Sequence, residues 1–174
     1  MKKPKKTLKE KNNPENASPS PKRRIKPFVK TMIYFALLIL VNLLVVNITF
    51  ISGESMTPTL RDRQIALVLK AGRHDRPGTI VITDRKNPLE AHLVKRIIAT
   101  EGQHLVIRDR EIYVDGEKLE EPYLAEKITY EEEIDMIIPA HSLFLMGDNR
   151  AYSVDSRQIG VIDTKNIIGQ LILY

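Results

Sequence analysis

The 174-residue sequence contains no cysteine. That excludes a disulfide framework, so an exported domain built from this chain has to hold together through its core alone. The four histidines (His74, His92, His104 and His141) are scattered, with no His-Glu-x-x-His pair, so a metal centre has no ligand spacing to start from. The stretch "GDNRAYSVD" offers Asp148 and Asp155 but lacks the alternating oxygen ligands and the glycine of a calcium loop. No glycine-rich loop follows a strand and opens a helix, which leaves nucleotide binding unsupported. Neither metal nor cofactor is expected. Internal repeats are also missing, and beyond Leu60 no stretch has a long helical period with caps.

What is abundant is positive charge, and its position matters more than its sum. The chain carries a formal +5, but residues 1–30 hold eleven Lys or Arg against two Glu, a net +9, so the remainder is −4. A nucleic-acid partner, which a basic chain first brings to mind, is therefore not expected. The segment "MKKPKKTLKEKNNPENASPSPKRRIKPFVK" is poor in apolar residues and rich in Lys, Pro, Asn and Ser. It cannot bury enough surface to offset chain entropy, and residues 1–30 are expected to be a disordered basic tail.

Directly after the tail comes "TMIYFALLILVNLLVVNITFI", residues 31–51, without a single charge. Its length suits one helical crossing of a hydrocarbon layer of about 30 Å. A cleaved signal peptide would have a shorter apolar region and a small-x-small site, whereas "ITFISGES" follows here. A core helix would show a polar face, which Asn42 and Asn47 do not supply. The expectation is an uncleaved single-pass anchor in a lipid bilayer. Basic residues precede the span and none cluster after it, so the tail is expected in the cytoplasm and residues 52–174 on the extracytoplasmic face of the cell membrane.

The exported part, about 120 residues, is large enough for one compact core. Its apolar residues fall into short runs bounded by turn residues: "QIALVLK", "TIVIT", "HLVKRIIA", "HLVIRD", "EIYVDG", "SLFLMG" and "IIGQLILY". Rich in Ile, Val and Leu and partly alternating, they read as strands. The expected fold is mainly β, a small antiparallel sandwich or barrel-like domain, with "YEEEIDM" ambiguous.

One serine stands out by position. Ser55, in "FISGESMTPTL", lies among small and turn-forming residues just past the apolar span. A serine hydroxyl needs a base to act as a nucleophile at neutral pH. Any of the histidines could be offered for a Ser-His-Asp triad, and nothing in the sequence selects one. The other option is Lys95, in the apolar strand "HLVKRII". Lys95 and Arg96 point to opposite faces of that strand, so at least one is expected to turn inward. Burial favours the neutral amine, which a base requires, although a strand lysine can also snorkel to water.

Together the segments resemble the bacterial type I signal peptidases, membrane-anchored Ser-Lys serine proteases, in their minimal Gram-positive form. "SGESMTPTL" resembles the nucleophile box, "LVKRIIA" the lysine box, and "MGDNRAYSVDSRQIGVI" the third signature; "VDGEKLEEPYL" resembles the family's Asp-Gly hairpin and Glu-Pro-Tyr segment. The resemblance implies endopeptidase cleavage of signal peptides from exported preproteins after small-x-small sites. In it Ser55 is the nucleophile and Lys95 the general base; Ser153 orients the lysine amine, and Asp155 and Arg157 support the site. It implies turn and scaffold roles for Asp148, Asn149 and Arg150. Ile51, Met56, Leu60, Leu93 and Val94 flank the boxes and are candidates for shallow substrate pockets, each equally a core candidate.

The pattern departs from the family in turns. The family usually has Gly-Asp where Arg63-Gln64 stands, often Arg-Gly-Asp where Pro77-Gly78-Thr79 stands, and a Gly-Leu-Pro-Gly-Asp turn where "ATEGQ" stands. Gram-negative members carry a serine hydroxyl at the position of Gly53, so the oxyanion donors are expected to be backbone N–H groups, that of Ser55 first. A non-catalytic membrane-anchored relative, for example in pilus assembly, would lack Ser55 or Lys95, and both are present. A self-cleaving repressor would need a soluble DNA-binding N-terminal domain in place of the anchor.

Overall fold

In the computed structural model the described residues are 26–72, 74–109, 111–124 and 133–174. Most of the expected tail, residues 1–25, lies outside them. The chain divides into two units, Met1–Leu37 and Leu38–Tyr174, and the eleven strands found among the described residues all lie in the second.

Helix α1 runs from Pro27 to Val45. Proline suits a first helical position, because its missing N–H would be unpaired there anyway. The helix thus begins four residues before the expected start of the anchor at residue 31, and it stops six residues before the expected end at Ile51. From Val46 to Phe50 the chain is strand β1, paired antiparallel with β2 (Ile65–Leu69) in the register Val46↔Leu69 to Phe50↔Ile65. The reason is local: the Leu-rich part favours helix, whereas Val46, Ile48 and Thr49 are β-branched and prefer an extended chain. Among the described residues, no helix is long and apolar enough to cross a membrane.

The rest is mainly β, in two antiparallel sheets. The larger has seven strands in the order β1-β2-β11-β3-β4-β9-β10, with β3 at Ile80–Thr83, β4 at Val94–Thr100, β9 at Ser142–Met146, β10 at Ile162–Asp163 and β11 at Ile167–Leu173. The smaller has the order β7-β6-β5-β8, with β5 at His104–Arg108, β6 at Glu111–Val114, β7 at Glu117–Lys118 and β8 at Ile134–Ile137. The ambiguous "YEEEIDM" stretch thus contributes the start of β8, and residues 130–132 of it lie outside the described part. A four-residue helix, α2 (Ser156–Ile159), follows β9.

Burial follows the period of two in β2 and β5, which alternate between buried and more exposed positions. Strand β4 is different: Lys95 to Ala99 are all buried, because both faces of this central strand are covered. One apolar cluster joins the two sheets through Ile98, Leu105, Ile107, Ile112, Phe144 and Met146. A second lies under the segment after β1 and contains Ile51, Met56, Leu60, Ala66, Val68, Ile80 and Leu171. Gly169 lets β11 approach β2 closely, since a Cβ there would stand 2.4 Å from the Leu69 carbonyl oxygen.

Candidate active site

The segment from Ile51 to Gln64 folds back on itself. Ile51 N–H donates to the Gln64 carbonyl (2.8 Å), Arg63 N–H to the Ile51 carbonyl (2.9 Å), and Gly53 N–H to the Asp62 carboxylate (2.8 Å). Met56 and Leu60 point down into the second cluster together with Ile51, and this packing holds the turn on the sheet. Ser55, half-buried, rides on top.

Lys95 comes from the adjacent β4, paired with Val81 of β3. Its Nζ lies 2.7 Å from Ser55 Oγ, and the residue is only 4% exposed. Burial lowers its pKa from the ordinary 10.5 to about 8; the Asp155 charge works against this, Arg157 adds to it, and Asp148 opposes it. At that value about a tenth of the amine is neutral at pH 7, with a lone pair able to accept the Ser55 proton. Arg96, on the opposite face of β4, is buried as well. The four histidines are engaged elsewhere: His92 with the Thr83 carbonyl, His74 with the Lys70 carbonyl, His104 with Asp135 and His141 with Glu101. Among the described residues none of them hydrogen-bonds Ser55.

Asp155 and Arg157 form the expected pair, with Arg157 Nε 2.9 Å and Nη2 3.0 Å from the carboxylate oxygens. Asp155 also caps α2 and accepts the Gly147 N–H at 2.9 Å. Burial acts to raise its pKa, but the Arg157 bond and charge, with the bonds from Gly147 and Ser153, outweigh it and hold the carboxyl below the usual range. The Ser153 hydroxyl donates to Asp155 Oδ2 (2.7 Å), and among the described residues the only side-chain hydrogen bond of Lys95 is the one to Ser55. Ser153 is thus placed on Asp155 and not, as the resemblance implied, hydrogen-bonded to the lysine amine.

The strip Gly147-Asp148-Asn149, leaving β9, abuts the nucleophile turn. Asn149 N–H donates to the Ser55 carbonyl (3.0 Å), and the Asn149 amide donates to the Glu54 carbonyl (3.0 Å) and to Thr57 Oγ1 (2.8 Å). Asp148 receives Arg96 through Nε (2.8 Å) and Nη2 (2.6 Å), and Thr59 Oγ1 at 2.5 Å. A Cβ at Gly147 would stand 2.3 Å from Ser153 Oγ and 2.4 Å from the Ser55 carbonyl oxygen, so only glycine fits. The motif boxes contain Thr59, Gly147 and Asn149, but not which residues they touch, since the Thr59–Asp148 and Thr57–Asn149 bonds join positions about 90 residues apart.

Among the described residues the Ser55 N–H meets no acceptor and stays open, whereas the Gly53 N–H is taken by Asp62. Of the pocket candidates, Ile51, Met56 and Leu60 are at most 3% exposed and leave no surface for a substrate side chain. They hold the turn from below, as core packing dictates. Leu93 is 9% exposed and Val94 half-buried, with Val94 and Ile82 at the margin of the same cluster. A separate groove of about 530 Å³, lined by Lys70, His74, Glu101, His141 and Lys165 among others, contains none of these residues. Among the described residues no group of three His, Cys, Asp or Glu is placed to hold a metal.

The family "Signal peptidase, peptidase S26" matches residues 24–174. The chain belongs to this signal peptidase family. It is 35% identical to signal peptidase I U of Bacillus subtilis (strain 168), covering 85% of this chain and 86% of that protein. It is 33% identical to signal peptidase I of Bacillus licheniformis, over 89% and 90% of the two chains. A crystal structure of a signal peptidase I from Enterococcus faecalis V583 shares the fold, with a TM-score of 0.50 and 24% identity over 59% of this chain and all of that one. As a family member the chain is a serine endopeptidase of the type I signal peptidase kind, and the accessory-protein alternative has no support.

Proposed function

We propose that the chain removes signal peptides from exported preproteins with Ser55 as nucleophile and Lys95 as general base. The observation that carries this reading is the 2.7 Å contact between Lys95 Nζ and Ser55 Oγ, made by a buried amine whose pKa is lowered to about 8. Neutral Lys95 accepts the hydroxyl proton as Ser55 Oγ bonds to the scissile carbonyl carbon. The ammonium then returns that proton to the departing amine as the C–N bond breaks, leaving an acyl-serine. Water, activated by the again neutral Lys95, hydrolyses the ester. The free Ser55 N–H is the first oxyanion donor.

Asp155, Arg157 and Ser153 support the lysine site, and the half-buried Val94 and Ile82 fit shallow pockets for small residues before the cleaved bond. The apolar side chains of α1, from Phe28 to Leu40, are exposed on all sides of the helix, which supports a membrane anchor, and the Lys and Arg excess before it supports a basic tail inside and residues 52–174 outside.

The test is to incubate full-length protein in detergent with a preprotein and read the cleavage site by mass spectrometry. Cleavage after a small-x-small site is expected, and a folded Ser55→Ala variant should be inactive. Normal processing by that variant would overturn the mechanism.

A further inference from the structure

The Glu121-Pro122-Tyr123 segment, past β7, takes no part in the chemistry above, yet it packs on two buried arginines. The Tyr123 ring covers the Arg96 guanidinium at 3.9 Å. Glu121 forms a two-bond ion pair with Arg150, whose side chain is wholly buried. The Tyr123 hydroxyl donates to Glu121 (2.8 Å) and lies 3.5 Å from Arg150 Nη2. Burial and then the Glu121 carboxylate push the Tyr123 phenol well above its ordinary pKa, so it remains a donor.

Both arginines act on the strip that touches the nucleophile turn. Arg96 grips Asp148 with two bonds, and Arg150 Nε donates to the Gly147 carbonyl at 2.9 Å. Asn149, the next residue, carries the bonds to the Ser55 and Glu54 carbonyls. Two ion pairs, Asp148–Arg96 and Glu121–Arg150, meet at Tyr123, whose ring lies over Arg96 and beside Arg150. Guanidinium groups suit this arrangement because they pair with carboxylates along an edge and stack on rings through a face.

We propose that Tyr123 and Glu121 are positioning residues, which clamp Arg96 and Arg150 from behind and so hold the Gly147–Asn149 strip that sets the Ser55 turn against Lys95. The inference rests on the Ser55–Lys95 reading. It also bears on proton transfer. The charged groups acting on Lys95 are Asp155 and Arg157 from the turn around α2 and Asp148 from the end of β9. Arg96 neutralises Asp148, so a loosened Arg96 leaves the Asp148 charge freer to hold the proton on Lys95.

The experiment compares full-length Tyr123→Leu and Tyr123→Phe in detergent with the wild type, using a soluble peptide that spans a cleavage site. Tyr123→Phe keeps the ring over Arg96 and should stay within about three-fold of wild type. Tyr123→Leu loses the stacked face; kcat should fall about ten-fold at unchanged KM, with the acid limb of kcat moved to higher pH. Circular dichroism on each sample fixes the folded fraction to which the rates are referred. Unchanged kcat in Tyr123→Leu, a change in KM alone, an unmoved acid limb or an equal loss in both variants would overturn the clamp. Failure of the Ser-Lys reading looks different: Ser55→Ala would then still cleave the peptide.

Discussion

Lys95 shows how one burial produces a reagent. The residue is 4% exposed, and taking the charged amine out of water brings its pKa to about 8 despite the carboxylates of Asp155 and Asp148. The neutral form is the active one, so kcat/KM should rise about ten-fold per pH unit below pH 8 and level off above it. A pH–rate profile from pH 6 to 10 checks this; an acid limb centred near 6.5 would point to a histidine instead. Lys95→Arg keeps the charge but cannot deprotonate, and its activity should fall by at least about a thousand-fold. Substituting His74, His92, His104 or His141 singly should leave most activity, as each is engaged away from Ser55. The pairing of Ser55 with Lys95 was readable from the motif boxes. The placement of Ser153 on Asp155 was not, since a hydroxyl has several partners within reach and only the folded turn selects one.

Among the elements, the turn from Ile51 to Gln64 explains a departure from the family pattern. Arg63 stands where relatives usually have glycine, and its φ of 63° is left-handed. An L-residue in that region costs about 1–2 kcal/mol, of which glycine's extra chain entropy in the unfolded state offsets about 0.5–1. Arg63→Gly should therefore raise Tm by a few degrees, read by thermal denaturation. The exposed Arg63–Asp62 ion pair it removes contributes little, and a clear fall in Tm would refute the strain argument. Strands such as β2, β4, β5 and β9 were legible because β-branched and Leu-rich runs stand between turn residues. The end of α1 was hidden, because hydropathy stays high across Val45–Phe50 while the conformational preference changes. The fate of Ile51, Met56 and Leu60 was hidden too, as a core and a pocket demand the same apolar side chains.

At the scale of the whole molecule, the proposed topology puts the β domain outside and the Lys-rich tail inside. Protease added to intact protoplasts should digest the domain and spare an epitope on the tail; the opposite pattern would reverse the orientation. The junction between α1 and β1 then acquires a geometric meaning. Helix gives way to strand between Val45 and Val46 with no loop, and the Lys70 N–H to Val45 carbonyl bond (2.9 Å) carries the β1–β2 pairing up to the last helical residue. On the proposed topology we expect this loop-free splice, unlike a flexible tether, to tie the height of Ser55 to the end of the helix. On that reading the scissile bond is selected by its distance from the lipid as well as by the residues around it. Three glycines inserted after Val45 should leave hydrolysis of a soluble peptide nearly unchanged while slowing cleavage of preprotein embedded in vesicles. Equal rates on the embedded substrate would show that the calibration resides elsewhere.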